Sequence, residues 1–230
     1  MRDDKLLSVP TCVKAVHSPT LVLYFAWALI ALAASPALAD SLSGSSRIVD
    51  GDTLEIGHTT IRLQGIDAPE VAQPGGRDAV AALARLVEGK SVRCDGTERD
   101  DYKRLIAKCY AGDADINAAM VRQGFAWAFV KYSQEYVALE HAAKNGQAGI
   151  WRGNPEPPWD YRSRRWAVAR QISPNGCPIK GNIARHGGRI YHAPWSPWYL
   201  KTSVDERKGE RWFCSEREAL DAGWRAPYWR

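Results

Sequence analysis

The chain has 230 residues, 45% of them hydrophobic, and its 31 Lys and Arg against 26 Asp and Glu give a net charge of +5. This is ordinary globular composition, which excludes a chain disordered throughout, and the length suits one domain of ~100 to 150 residues plus a smaller module. Charge is unevenly spread: residues 40–151 carry 13 basic against 16 acidic side chains, net −3, and residues 152–230 carry 15 against 8, net +7. The basic half is therefore the better candidate for contacting a polyanion.

Residues 1–39 read as a signal peptide. Thr20 to Ala34 carry no charge, Arg2, Lys5 and Lys14 precede them, and Ala37-Leu38-Ala39 supplies a cleavage site. The apolar run of 15 residues is shorter than the ~20 needed to span a bilayer. The expectation is a secreted or periplasmic protein, membrane-anchored if the leader is not cleaved. Such a compartment lets disulfides persist. Cys12 falls in the leader, and Cys94, Cys109, Cys177 and Cys214 remain, with three possible connectivities. Cys94 and Cys109 lie in strands flanking one turn, and Cys177 and Cys214 bracket the tail; those two pairings are favoured.

After a Ser/Gly-rich stretch to Ser46, Ile48 to Ile56 and Thr60 to Ile66 alternate apolar and polar residues as half-buried strands do, with Asp-Gly suited to a tight turn. Pro69 pushes Ala68 towards an extended conformation, so Asp67 to Glu70 reads as a loop at a strand end. Ala79, Val80, Leu83, Leu86 and Val87 recur at helical spacing, closed by Gly89. Val92 to Asp95 and Leu105 to Tyr110 read as a hairpin joined by a long loop from Gly96 to Lys103. Asp115 to Gln123 is a short helix with Asp115 as its cap and Gly124 at its end. A third helix around Tyr136, Leu139, Ala142 and Ala143 ends near Gly146, and Trp151 closes the domain.

Residues 153–173 read as a Pro-rich linker followed by a basic helix, with Pro157 and Pro158 suited to its first turn and Arg162, Arg164, Arg165 and Arg170 along it. That helix is read either as a solvated brace or as a polyanion contact. Residues 174–230 form a small Trp/Arg-rich module. Its tryptophans suit base stacking in single strands and equally suit the core of so small a unit. Cys177, His192 and Cys214 lack the clustered spacing of a zinc site.

Taken singly, Asp50 and Asp52 suit a turn, Arg62 a solvated strand face and Asp67 a loop cap. Together, Asp50-Gly51-Asp52-Thr53, Arg62, Asp67-Ala68-Pro69-Glu70, Asp100-Asp101-Tyr102-Lys103-Arg104 and Asp115 to Gly124 form an ordered series closed by Gly149-Ile150-Trp151. This series, over about residues 46–151, resembles the thermonuclease (staphylococcal-nuclease-like) family, with the remaining tail similar to a small module joined to such domains. The resemblance implies an α+β fold: a five-stranded OB-type barrel with three helices over residues 46–152, followed by the cysteine-containing C-terminal module.

It also implies a calcium-dependent endonuclease of DNA and/or RNA, with magnesium as the other hard cation. Asp52, Asp67 and the Ala68 carbonyl are the implied metal ligands. Glu70 is the implied general base, and Arg62 and Arg104 the guanidinium groups on the phosphate. Tyr102 is implied to contact the phosphate and Tyr132 to flank the nucleobase. Asp101 stands where the best-known members carry a lysine, and Ala68 where they carry a threonine. A monomer with no obligate protein partner is expected. Two other classes are a non-catalytic nucleic-acid-binding OB module, which would have lost Arg62, Glu70 or Arg104, and an envelope-associated protein acting through its tail.

Overall fold

A computed structural model describes residues 41–227; the leader expected over 1–39 lies outside them. Three short strands between Ser46 and Leu63 make a meander, because alternating side chains bury one face and short turns return the chain. β1 (Ser41–Gly44), β2 (Ser46–Ile48), β3 (Thr53–Ile56) and β4 (Thr59–Leu63) lead to the two-residue β5 (Ile66–Asp67). α1 (Gly76–Val87) is followed by β6 (Val92–Arg99), β7 (Leu105–Ala111), β8 (Ala114–Asp115), α2 (Ile116–Arg122), β9 (Trp127–Ala128) and α3 (Val137–Asn145). The main sheet runs β1-β6-β7-β4-β3-β2, with β8 added on β7, and its β4–β7 pair is parallel. Gly44 of β1 lies so close to β3 that a Cβ there would sit 3.0 Å from Ile56 Cγ2, so the sheet curls back on itself as an OB-type barrel. Leu54, Ile61, Leu63, Ile66, Leu83, Ile116, Met120 and Val121 fill it.

Local signals hold in detail. The Asp115 carboxylate accepts from the Ala118 N–H at 2.9 Å at the start of α2, and Gly124 takes φ +73° beyond its end. Two expectations about strands change. The run from Ile48 to Ile56 breaks at Asp50–Asp52, where the chain reverses so that Ile48 pairs Leu54. The long loop expected from Gly96 is instead strand: β6 continues to Arg99 through an irregularity between Asp95 and Glu98. Gly96 permits this, since a Cβ there would sit 2.2 Å from the Ile106 carbonyl oxygen.

Both disulfides form as favoured, Cys94–Cys109 across directly paired strand positions and Cys177–Cys214 in the tail.

Beyond the 3₁₀ turn at Gly149–Arg152, α4 (Pro158–Ile172) starts with Pro158 in its first turn. The tail has a three-stranded sheet, β11-β10-β12, from β10 (Ile179–Ile183), β11 (Arg189–His192) and β12 (Arg211–Phe213), and ends in α5 (Glu216–Asp221). Ile179, Tyr191, Phe213, Ala219 and Trp224 form its core, with Trp166 of α4 packed against it. Two of the tail-side tryptophans are thus spent on packing. The module is bound to the barrel by Lys103–Asp221 at 3.0 Å and by Arg217, which donates to the Asp101 carbonyl at 2.8 Å.

Candidate active site

Three short segments of the barrel bring the carboxylates together. Asp50 accepts from the Asp52 N–H at 3.1 Å, which shapes the turn before β3 and delivers Asp52 to the barrel mouth. Arg62 pairs with Thr53 across β3 and β4. The turn after β4 then returns β5, ending at Asp67 and Ala68. The Ala68 N–H donates to Asp52 Oδ2 at 2.7 Å, tying the first segment to the third.

Arg62 is the hinge of the constellation. Its Nη1 lies 3.0 Å from Asp52 Oδ2 and its Nη2 3.0 Å from Asp67 Oδ1. Asp67 is fully buried and Asp52 nearly so. Burial pushes the Asp52 carboxyl up, but Arg62 and the Ala68 N–H outweigh it and hold the group below its usual range. Asp67 is raised, by burial above all, against the pull of Arg62 and Arg162. Asp50 goes up to about 7 through burial and the neighbouring Asp52. Glu70 goes up to about 8, again through burial first, with Asp50 and Asp52 adding to it and Arg162 opposing.

Glu70 is fixed by its own backbone, whose N–H donates to Gln73 Oε1 at 3.1 Å and whose carbonyl accepts from the Gln73 N–H at 2.7 Å. α1 approaches so closely that only a glycine fits at Gly76: a Cβ would fall 1.8 Å from the Glu70 carbonyl oxygen.

The expected residues do not all meet. Asp52, Arg62, Asp67, Ala68 and Glu70 share one hydrogen-bonded patch. Arg104 stands beside it, held by Asp100 at 2.7 Å, with its charge acting on Asp50 and Asp52. Tyr102 lies 5.1 Å from the Arg104 guanidinium. Tyr132 is set apart on the surface, edge-on to Phe129 at 5.0 Å, and Phe129 in turn stacks on Trp159 at 5.8 Å.

One further residue belongs to the patch. Arg162 of α4 puts Nη2 2.7 Å from Asp67 Oδ2, while its Nη1 lies 3.2 Å from Asp67 Oδ1 and 2.8 Å from Glu70 Oε1. In the sequence it is one of four arginines along a basic helix, and no local pattern distinguishes it from Arg164, which pairs with Glu156 at the surface. Glu216 of α5 shares a hydrogen bond with Tyr191, and burial pushes its carboxyl up against the opposing charges of Arg104 and Arg162.

Among the described residues no three acidic, histidine or cysteine side chains form a ready-made metal cluster. The donor chemistry nevertheless suits a hard cation. Asp52 and Asp67 converge on Arg62, and Asp50 and Glu70 add half-buried carboxylates whose raised values show that the guanidinium groups do not fully offset them.

Comparison with known proteins identifies the family. The family described as "Staphylococcal nuclease homologue" matches residues 60–153. An Escherichia coli O157:H7 protein named "Uncharacterized endonuclease" is 34% identical over 158 residues, covering 65% of this chain and 98% of its own. A Haemophilus influenzae protein of the same name is 40% identical over 125 residues, 50% of this chain and 70% of its own. The "Staphylococcal-like nuclease CAN1" of Arabidopsis thaliana is 34% identical over 108 residues, 46% of this chain and 33% of its own. This chain belongs to the family of staphylococcal nuclease homologues.

Proposed function

We propose that the protein is a cation-dependent nuclease that hydrolyses phosphodiester bonds of DNA and/or RNA, with calcium as the cation it takes and magnesium as the alternative. The observation that carries this reading is the placement of Asp52 and Asp67 on either side of Arg62, with Glu70 on the same wall.

Asp52, Asp67 and the Ala68 carbonyl would hold the cation. When bound, it neutralises phosphate charge and polarises the phosphorus centre. Arg62 keeps the two carboxylates in register and stays charged throughout, because a guanidinium does not deprotonate in proteins. Arg104 spends Nε and Nη2 on Asp100; its Nη1 is left for a non-bridging phosphate oxygen, where charge builds up in the transition state. Glu70 takes the proton of the attacking water on a carboxylate oxygen; burial strengthens it as a base, and the charge of a bound cation would keep it ionised near neutral pH. Tyr102 contacts the phosphate beside Arg104, and Tyr132 the base.

Export through the leader is part of the same reading. Two disulfides in one chain suit an oxidising compartment.

The test is digestion of plasmid, single-stranded DNA and RNA by the purified protein in calcium, magnesium and chelator. Cleavage in calcium that stops in chelator is expected. Full activity in chelator would overturn the reading.

A further inference from the structure

The C-terminal extension does more than trail the barrel. Gln73 donates to the Glu156 carbonyl at 2.6 Å, Trp159 stacks on Phe129, and Arg165 grips the Pro194 carbonyl with two N–H groups at 2.8 and 3.0 Å. These contacts fix α4 between barrel and tail and aim Arg162 into the mouth. There the Arg162 guanidinium makes three charge-assisted hydrogen bonds: two to Asp67, one on each carboxylate oxygen, and one to Glu70. Arg62 also takes Asp67 Oδ1, so both oxygens of this fully buried carboxylate are engaged.

A cation that coordinates Asp67 must take one of those oxygens, and there it meets the positive charge of the Arg162 guanidinium within a few ångströms, so the two like charges oppose each other over the same carboxylate. The extension thus presents a cation to the acids.

We propose that Arg162 is a tethered cation that competes with the divalent ion for Asp67, with Glu70 as its second anchor, so that α4 holds the site closed until an ion displaces it. The inference rests on the assignment of Asp67 as a cation ligand. Its consequence is autoinhibition by the extension, with the calcium level that activates the enzyme set by the grip of Arg162.

Calcium binding measured by isothermal titration calorimetry reads this without any turnover. Arg162→Ala should bind calcium about 5- to 150-fold more tightly than wild type, the span of typical coupling between two opposed binding events. Arg162→Lys keeps the charge but loses the planar fork and should fall between them. Arg164→Ala removes the same charge from the same helix at a surface pair and should stay within about twofold of wild type, since exposed pairs couple weakly. Backbone hydrogen exchange across residues 158–172 should rise when calcium is added to the wild-type protein. If Arg162→Ala changes affinity no more than Arg164→Ala, while Asp67→Asn still abolishes binding, Arg162 is a structural brace and the inference falls with the cation site intact. If neither wild type nor Arg162→Ala binds calcium, the cation assignment falls and takes this inference with it.

Discussion

Asn117 offers the sharpest test of how the barrel carries the site. It lies in the first turn of α2 and is fully buried. Its Oδ1 accepts from the Cys109 N–H of β7 at 3.1 Å, while its Nδ2 donates to the Gln64 carbonyl at 2.9 Å and the Ala107 carbonyl at 3.3 Å. Ala107 has a second donor in the Gln64 N–H at 2.9 Å and loses least if Asn117 goes. Asn117→Ala therefore strands the buried Cys109 N–H and removes the partner of the Gln64 carbonyl, which belongs to an exposed residue and can turn to water. The unpaired buried N–H sets the expected loss at about 1 to 3 kcal/mol, a sizeable part of the stability of an ordinary domain. Asn117→Asp keeps the acceptor for Cys109 but turns a carboxylate oxygen towards two carbonyls, so it should be no milder. Urea unfolding followed by circular dichroism and tryptophan fluorescence measures both. Because Gln64 joins the Arg62 strand to the Asp67 strand, the folded fraction of either variant should also turn over more slowly. A loss below about 1 kcal/mol in Asn117→Ala would refute the account of this residue as the tie between α2, β7 and the site.

Arg62→Ala and Arg104→Ala should each lower turnover by ~10² or more, the usual effect of removing a preorganised transition-state charge, and Glu70→Gln should slow the reaction with cation affinity largely kept; near-normal rates in all three would dismiss the assigned roles. Gly76→Ala forces α1 and the Glu70 backbone apart, which should cost about 1 to 3 kcal/mol as overpacking does and reduce turnover together with stability, as thermal melts and initial rates can show. Burial first, and then Lys180, pushes His192 from the usual 6.5 down to about 4; the unfolded chain then takes up the proton first as pH falls. Stability from this group is complete above pH 6.5 and declines between 6.5 and about 4, and His192→Gln should show a flatter decline in unfolding midpoint over that window. Reducing Cys94–Cys109, which spans 15 residues, should remove roughly 3 kcal/mol in the chain-entropy model; an unchanged urea midpoint after verified reduction would contradict that.

The residues themselves were enough for everything that depends on near neighbours. Asp115 caps α2 because its carboxylate needs only an N–H three residues ahead, and Pro158 opens α4 because its ring suits a first turn. The Asp50–Asp52 turn, the Asp67–Glu70 loop and the Arg104 hairpin were legible for the same reason, each being a short segment whose turn chemistry is local. The path of β6 was not: its continuation past Gly96 depends on the Ile106 carbonyl across the strand, and only the paired partner decides that a glycine marks a bulge and not a loop. Arg162 lay further still from view. It is separated from Asp67 by 95 residues and from Glu70 by 92, on a helix whose arginines look alike along the chain. What selects it is the docking of α4 through Trp159, Gln73 and Arg165, contacts each decided by which surfaces meet. Local turn and capping preferences built the acidic mouth; long-range packing alone decided which arginine would sit in it.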